Sequence, residues 1–448
     1  MTPKISIIGA GSARFSLTLI QDLCLTPNLA GCTVSLMDVD PQRLAAAHTL
    51  CQRYSDEVGA ALNLKATTDR RESLQGADFV VNTALVAGHQ MMMDGIQIAS
   101  KLGYRYGGSH HIMHDEPFWL NYYQFKFFET LTGDMLDICP QAWHLLVANP
   151  VLAGTTHITR KYPGARMIGL CHGYANLFQI AAVLGLDKEG LTFELSGLNH
   201  FIWLTQCHHN GKDVFPLLDR WIAEKSADYW ETTWKPGEIN PNAVDLYKRF
   251  GAFPLGDTCT PGGGAWPWWY HSDAETEQRW KEDVAGYRQR VFEKMKATAS
   301  WSQKLAARKS VQLTDEFPPQ KSGWNMIPII ESITCDIERI FIINQRNQDC
   351  LVDGIPQDFG VEIPALISKS GVRGIQTRKL PPEILAYALR DRVAPVNIEL
   401  SAYEQGSREL LLQLILMDPW TRSVQQAQSL LDAILSMPGN EAMQTHYA

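Results

Sequence analysis

The feature that most constrains the fold of this chain is the glycine turn near its N-terminus. Gly9-Ala10-Gly11-Ser12 follows a β-type run at residues 5–8 and precedes apolar residues at helical spacing. A glycine turn between a strand and a helix lets the backbone approach a pyrophosphate, which the helix N–H groups and dipole then bind. We therefore predict a dinucleotide site that uses Gly9, Gly11 and Ser12. Arg14 stands where the usual third glycine would be, so an ordinary strand-turn-helix remains the alternative.

Asp38 ends the second β-type run of the chain. A carboxylate at this position accepts hydrogen bonds from the adenosine ribose hydroxyls and repels a 2′-phosphate, so NAD is favoured over NADP. The alternative is a simple turn residue at the end of a strand. Asn82 and Thr83 end the next recognisable run and are expected to line the same crevice.

The order of β-type runs and helical patterns predicts an α/β fold with an N-terminal, doubly wound parallel sheet. Beyond about residue 195 the pattern changes to paired strand-type runs, an Asn210-Gly211 turn leading to Val214-Phe215, and a helical C-terminus. We expect an NAD-binding Rossmann domain over residues 1–195. An α+β domain over residues 196–448 would then serve the substrate, the metal and oligomerisation. The β-type runs of the first domain lie at residues 5–8, 34–37, 79–81, 145–147 and 167–170.

The composition excludes several classes of protein. Lys and Arg number 40 against 48 Asp and Glu, the net charge is -8, and there is no basic run, so a nucleic-acid partner is not expected. No segment approaches the roughly 18 continuous apolar residues of a membrane span, and the N-terminus reads as a strand rather than a signal peptide. We expect a cytoplasmic protein whose nine cysteines are free thiols.

Two further strand ends carry residues that can bind a metal. Cys171-His172-Gly173 follows one β-type run, and Asn199-His200 follows another. A cysteine thiolate and an imidazole would suit a divalent transition metal such as Mn. On spacing alone, a buried cysteine and a separate hydrogen-bonded histidine explain these residues better.

The order of five short motifs favours the metal site over a buried cysteine and a separate histidine. They are Gly9-Ala10-Gly11-Ser12, Asn149-Pro150, Cys171-His172-Gly173, Gly197-Leu198-Asn199-His200 and Gly256-Asp257-Thr258. In this order they resemble the NAD- and Mn-dependent glycosidases of glycoside hydrolase family 4. The resemblance extends over most of the chain, including residues 361–366.

The resemblance implies a role for five residues of these motifs. Cys171 and His200 would ligate Mn2+, and Asn149 would contact the sugar and is a candidate cofactor contact. His172 stands where some family members that act on phosphorylated sugars have an aspartate acid, so it becomes the candidate acid. Asp257 becomes the candidate base. The alternatives are a strand end for Asn149, a local hydrogen bond for His172 and a turn position for Asp257.

The implied chemistry is an oxidation, elimination, addition and reduction of the sugar. NAD would oxidise the C3 hydroxyl, which acidifies the C2 proton for Asp257, while Mn2+ acts as a Lewis acid. Elimination with help from His172, addition of water and reduction by the NADH would complete the cycle. Unphosphorylated α-glucosides or α-galactosides are the expected substrates. The alternatives are an α-hexuronide (glucuronide or galacturonide) hydrolase of the same family, an NAD-dependent hydroxy-acid dehydrogenase and a non-catalytic NAD sensor.

Two regions stay open at this point. Residues 107–115 contain His110, His111 and His114, which we interpret as a solvent-facing or substrate-facing loop rather than a second metal site. Residues 261–270 combine glycines with three Trp residues, so they suit a lid, a sugar platform or core packing. An Arg that the family pattern places in this region is absent. The resemblance also implies a homo-oligomer, a dimer or a tetramer.

Overall fold

The computed structural model describes residues 2–105, 116–260 and 266–448. Residues 106–115, with His110, His111 and His114, and residues 261–265 lie outside the described parts of the chain. The strands are β1 Lys4–Ile8, β2 Thr33–Met37, β3 Asn63–Thr67, β4 Phe79–Asn82, β5 Trp143–Leu146, β6 Met167–Gly169, β7 Leu191–Leu198, β8 Phe201–His209, β9 Lys212–Asp213, β10 Phe253–Leu255, β11 Arg339–Arg346, β12 Gly360–Ser368 and β13 Gly371–Gly374.

The helices cover both faces of the sheet strands and continue beyond the last strand to the C-terminus. A π-helical turn, Leu389–Val393, joins α15 to α16. The helices are α1 Ala13–Cys24, α2 Pro41–Val58, α3 Arg70–Leu74, α4 Gly88–Lys101, α5 Phe118–Ile138, α6 Val151–Lys161, α7 Leu177–Leu184, α8 Phe215–Glu224, α9 Ser226–Thr232, α10 Pro241–Phe250, α11 Ala274–Trp280, α12 Val284–Ala307, α13 Leu313–Glu316, α14 Met326–Cys335, α15 Pro382–Ala388, α16 Ala394–Gln405, α17 Arg408–Leu416, α18 Val424–Leu435 and α19 Glu441–His446.

The N-terminal strands form the parallel part of one sheet. They lie in the order β3-β2-β1-β4-β5-β6, and each neighbouring pair is parallel. This is the strand order of a dinucleotide-binding Rossmann sheet, so the predicted α/β fold is confirmed. Because the strands are parallel, their carboxyl ends share one edge, which brings the turns after β1, β2, β4, β5 and β6 together.

The second half of the chain adds antiparallel strands to the same sheet. β11 pairs with β6, and the order continues through β12, β7, β8 and β10. The boundary predicted at residue 195 falls inside β7, so the two-domain division stays a prediction. The antiparallel strands and the C-terminal helices agree with the predicted α+β character of this half.

Local sequence explains where several elements begin and end. Asp40 caps α2 by accepting hydrogen bonds from the amides of Gln42 and Arg43, and Gly59 ends that helix with a φ of 73°. The predicted Asn210-Gly211 turn is present, with positive φ at both residues. Phe215, to which that turn leads, begins α8. Within the described residues, no helix is long and apolar enough to cross a membrane.

Candidate functional site

The glycine turn after β1 is shaped by two close backbone approaches. Gly9 has a φ of +90°, and a Cβ atom at this position would lie 2.8 Å from the amide nitrogen of Ala84. A Cβ atom on Gly11 would lie 2.6 Å from the carboxylate of Asp38. Both positions therefore require glycine. The first turn of α1, after Ser12, has no side-chain cap. The amide of Ala13 donates to the Gly11 carbonyl at 2.9 Å, which leaves the following amides of that turn for a phosphate.

Asp38 fixes this turn through its carboxylate. Oδ2 accepts a hydrogen bond from the amide of Gly11 at 2.7 Å, and Oδ1 accepts one from the amide of Asp40 at 3.0 Å. The sequence predicted contacts from Asp38 to a ribose but not this bond to the turn. An ionised carboxylate has about four acceptor positions, so these two bonds leave capacity for the ribose hydroxyls of NAD.

Three other predicted cofactor residues lie at the same edge of the sheet in different environments. Asn82 is fully buried, and its Oδ1 accepts a hydrogen bond from the amide of Ala84 at 3.2 Å, whereas its Nδ2 has no partner among the described residues. The Thr83 hydroxyl donates to the Ile8 carbonyl at 3.0 Å and so ties the ends of β4 and β1 together. Asn149 is partly exposed after β5, just before α6. The sheet thus brings all three to the crevice edge, with Asn82 beneath its surface.

The pairing of β8 with two neighbours brings His200 and Asp257 together. His200 lies in the turn between β7 and β8, and Asp257 follows β10. β7 and β10 are both antiparallel to β8, so both end where β8 begins. The Thr258 hydroxyl fixes this junction, because it accepts from the Ile202 amide at 2.8 Å and donates to the Ile202 carbonyl at 3.0 Å. His200 Nε2 consequently lies 3.5 Å from Asp257 Oδ2.

A contact between two glycines brings Cys171 to the same place. A Cβ atom on Gly256 would lie 2.5 Å from the Cα of Gly173, so the turn after β6 touches the turn after β10. The amide of Gly173 donates to the Cys171 sulfur at 3.4 Å. Burial and then the charge of Glu362 raise the pKa of the Cys171 thiol, against a hydrogen bond from the His200 imidazole that lowers it. Cys171, His200 and Asp257 therefore form one cluster.

His172 lies beside this cluster against an aromatic ring. Its imidazole stacks on the indole of Trp324, with the ring centroids 4.8 Å apart and the planes 25° from parallel. Trp324 in turn contacts the ring of Phe15 in α1 edge-on. Burial lowers the pKa of His172. The candidate acid is thus held between the Rossmann half and the segment that precedes α14.

The donor set of this cluster fits a metal that keeps open positions for other ligands. Cys171 and His200 supply sulfur and nitrogen within hydrogen-bonding reach of each other. Among residues 2–105, 116–260 and 266–448, no group of three or more His, Cys, Asp and Glu side chains is arranged to hold a metal. Catalytic metal sites leave coordination positions for water or substrate, so two protein ligands are compatible with a metal that a sugar completes.

Two residues that the sequence did not assign also belong to this cluster. Glu362 in β12 is buried, accepts a hydrogen bond from the Asn199 side chain at 3.1 Å, and acts electrostatically on Cys171. Tyr287 in α12 has a pKa raised by burial and then by the charge of Asp257. Glu362 could have been found from the sequence, because it is a carboxylate inside an otherwise apolar strand. Nothing in the sequence around Tyr287 distinguishes it from other helical tyrosines.

The Trp residues after Asp257 divide between core and surface. Trp266 is fully buried against Phe201 and Trp203, whereas Trp268 and Trp269 are partly exposed. Trp266 is therefore a core residue. Of the aromatic residues in the predicted platform, the two partly exposed Trp side chains remain candidates for sugar contact.

Comparison with known proteins finds the same family in both halves of the chain. The family model described as "Family 4 glycosyl hydrolase" matches residues 4–185, and that of its C-terminal domain matches residues 195–421. The α-glucosidase of Erwinia rhapontici is 25% identical over 97% of this chain and 98% of its own. The α-galacturonidase of Thermoanaerobacter italicus is 23% identical over 94% of this chain and 92% of its own.

A solved structure shares the fold. It is a 6-phospho-α-glucosidase from gut microorganisms in complex with NAD and Mn2+, with a TM-score of 0.79 and 19% identity, covering 97% of this chain and 98% of that chain.

Proposed function

Because the chain belongs to the family 4 glycosyl hydrolases, we propose that it hydrolyses unphosphorylated α-glycosides, either α-glucosides or α-galactosides, with NAD and Mn2+ as cofactors. The observation that carries this proposal is the convergence of Cys171, His200 and Asp257 at one end of β8. The full-length similarity to an α-glucosidase and the NAD and Mn2+ of the solved relative support it.

Each cofactor is assigned to one of two groups of residues, the glycine turn with Asp38 or the cluster around Cys171 and His200. Gly9, Gly11 and Ser12 would hold the pyrophosphate of NAD, and Asp38 its adenosine ribose. Cys171 and His200 would hold the metal. When bound, NAD supplies reversible hydride transfer at C3 of the sugar, and the metal withdraws electron density from the oxygens of the reacting carbons.

Asp257 is the residue that we assign to removal of the C2 proton. The Thr260 hydroxyl donates to Asp257 Oδ1, and Oδ2 faces the His200 imidazole at 3.5 Å. The carboxylate is thus held in one orientation beside the proposed metal ligand, where C2 of a bound sugar would lie. Asp257 would accept the proton as elimination begins and return it when water has added.

His172 is the residue that we assign to the leaving oxygen. Its stacking on Trp324 fixes the plane of the imidazole, so that one ring edge can be presented to the glycosidic oxygen. It follows Cys171 directly in the chain, which keeps it within reach of a sugar held at the metal. Asn149 is proposed to contact both sugar and cofactor, and Asn82 and Thr83 to support the crevice beneath the nicotinamide end.

The decisive experiment is reconstitution of the stripped protein. NAD is removed with charcoal and metal with a chelator, and a panel of nitrophenyl α-glycosides is offered with NAD, with Mn2+, with both and with neither. Hydrolysis only with both, without net accumulation of NADH, is expected. Full hydrolysis without either would overturn the proposal, and net NADH release would support a dehydrogenase instead.

An α-hexuronide hydrolase is the second candidate, and Arg288 favours it. This residue is 6% exposed and lies near the start of α12. It follows Tyr287, whose pKa is raised by burial and then by the charge of Asp257. We propose that the Arg288 guanidinium faces the sugar, where it would suit a uronate carboxylate. The α-galacturonidase relative aligns with nearly the whole chain.

Arg288→Gln should raise KM for an α-galacturonide at least tenfold (about 1.4 kcal/mol) and leave KM for an α-galactoside unchanged. Arg290→Gln, an exposed neighbour paired with Asp283, is the control.

The assembly and the location of the protein stay predictions. We propose a dimer or a tetramer in the cytoplasm, and light scattering of the purified protein at several concentrations tests the first of these.

A further inference from the structure

The turn that carries His200 holds a backbone conformation that few side chains adopt. His200 is the second of two residues between β7 and β8, and its φ is +55°. Asn199, the first, does not have a positive φ. This is the pattern of a type II turn, in which glycine or asparagine usually occupies the second position. A larger residue there costs on the order of 1–3 kcal/mol, so the surrounding structure must hold it.

Arg392 supplies a direct restraint on this turn. Its Nη2 donates a hydrogen bond to the backbone carbonyl of His200 at 3.2 Å. The guanidinium is fully buried, and a buried cation is retained only where its hydrogen bonds are specific. A second restraint acts one residue earlier, where the Asn199 side chain donates to Glu362 at 3.1 Å. The backbone on both sides of the strained φ is therefore fixed by buried polar partners.

Arg392, which reaches the His200 carbonyl, lies in a π-helical turn. The turn Leu389–Val393 interrupts an otherwise continuous helix from α15 to α16. Pro395 follows it in the first turn of α16. In an α-helix the residue at 395 would donate its amide to the carbonyl of Asp391, but proline has no N–H and its ring crowds that carbonyl. The wider turn accommodates the proline, and such turns are frequent at functional sites.

The π-helical turn also restrains Phe201, the residue after His200. Asp391 is fully buried and accepts a hydrogen bond from Trp266 Nε1 at 2.9 Å. The Trp266 indole packs edge-on against the ring of Phe201, with centroids 4.7 Å apart. Phe201 follows His200 directly in the chain. Adjacent residues of the π-helical turn thus restrain the metal-ligand turn from two sides, one through a carbonyl and one through an aromatic ring.

We propose that the π-helical turn is the positioning element of His200, with Arg392 as its positioning residue. The proposal rests on the proposed function, because it takes His200 as a metal ligand. Fixing the carbonyl at a positive φ keeps the imidazole directed at Cys171 before any metal arrives. Metal binding then needs no reorganisation of the turn, and affinity is gained by this preorganisation.

Metal affinity of the Arg392→Lys variant tests this directly. Lysine keeps the charge but has a single donor atom on a flexible stem. The full-length protein is titrated with Co2+, whose absorption on binding a thiolate reports Cys171, and with Mn2+ in competition. A loss of about 10- to 100-fold in affinity for both ions is expected, with a shifted Co2+ band and NAD affinity within twofold of wild type. Arg408→Lys, an arginine paired with Asp432 and distant from the turn, should change nothing.

The outcomes separate this inference from the proposed function. A wild-type protein that gives a thiolate band, with an Arg392→Lys variant of equal affinity and band position, overturns the positioning role and leaves the proposed function standing. A wild-type protein without any thiolate band overturns the metal site and the inference together.

A second variant covers the case in which Arg392→Lys fails to fold. Trp266→Phe keeps an aromatic ring against Phe201 and removes only the indole donor to Asp391. The loss of one buried hydrogen bond should weaken metal binding by about threefold or more. Unchanged affinity in this folded variant would contradict the proposal.

Discussion

The His200 imidazole lies 3.5 Å from the Asp257 carboxylate, measured from Nε2 to Oδ2. The two residues come from different turns, and both turns lie at the start of β8. The distance is too long for a strong hydrogen bond. The Asp257 carboxylate therefore lies beside the proposed metal ligand without a short hydrogen bond to it.

Replacement of this carboxylate is therefore expected to remove chemistry and leave binding intact. Asp257→Asn keeps the shape of the side chain and a carbonyl oxygen for Thr260. We expect kcat to fall by about 10²-fold or more, with Mn2+ and NAD affinities within twofold of wild type. Incorporation of solvent deuterium at C2 of the product should disappear. Asp283→Asn, which preserves a helix cap at the start of α12, should show wild-type turnover; a similar kcat in both variants would contradict the assignment.

The glycine turn offers a test of the cofactor site. A Cβ atom on Gly11 would meet the Asp38 carboxylate at 2.6 Å, so Gly11→Ala must break the hydrogen bond that fixes the turn. We expect NAD affinity to fall at least tenfold and the free energy of unfolding to drop by about 1–3 kcal/mol. Isothermal titration and thermal unfolding measure the two effects.

Gly133 provides the matched control for that experiment. It lies inside α5, and a Cβ atom there meets nothing within 4 Å. Gly133→Ala should stabilise the protein by about 0.5–1 kcal/mol and leave NAD affinity unchanged. Equal NAD affinity in the Gly11→Ala and Gly133→Ala variants would remove the turn from the cofactor site.

The cofactor half of the molecule could be predicted because its signals are local. The turn at Gly9 and Gly11 sits between a buried strand and a helix, and Asp38 follows a second buried strand, so a few consecutive residues specify each position. β3 was not predicted, because it lacks such a local signal. Its residues 63–67 lie at the edge of the sheet and have little apolar character, so no apolar run marks them as a strand.

The cluster of Cys171, His200 and Asp257 could be predicted only in part, because its contacts join distant segments. Cys171, His200 and Asp257 were identified through the order of motifs, and their convergence depends on pairing around β8. The positive φ of His200 and the restraint from Arg392 leave no pattern along the chain. The segment to which the Asn210-Gly211 turn leads becomes a helix from Phe215, where the packing of Leu218 and Trp221 determines the conformation.

Cys171 gives a prediction that concerns the metal alone. Serine is a poor ligand for a transition metal in place of a thiolate, so Cys171→Ser should abolish Mn2+-dependent turnover and the Co2+ thiolate band. NAD affinity should stay within twofold, because the glycine turn lies on other strands. Cys335→Ser, a partly exposed thiol outside the site, is the control. Persistence of metal-dependent turnover in Cys171→Ser would exclude this residue as a ligand.

A buried carboxyl group behind the Asp257 turn makes the stability depend on pH. Asn240 and Asn242 donate to Glu282 Oε1 at 3.2 Å and 2.5 Å, and the His271 ring lies 3.8 Å from Oε2. Burial raises the pKa of Glu282 to about 8 and lowers that of His271 to about 3. Both groups are therefore neutral in the folded protein at mid-range pH.

Glu282→Gln should remove one part of this dependence. Between the ordinary pKa of 4.5 and the folded value of about 8, the unfolded chain loses the Glu282 proton while the folded protein keeps it. The free energy of unfolding therefore falls by up to about 1.4 kcal/mol for each pH unit in that window. Glutamine keeps the acceptor for Asn240 and Asn242 and cannot ionise. The difference in thermal midpoint between variant and wild type should thus grow in favour of the variant from pH 4.5 to pH 8. His271 titrates in both proteins and cancels in that difference, so a difference that does not change with pH would show that Glu282 is ionised in the folded protein.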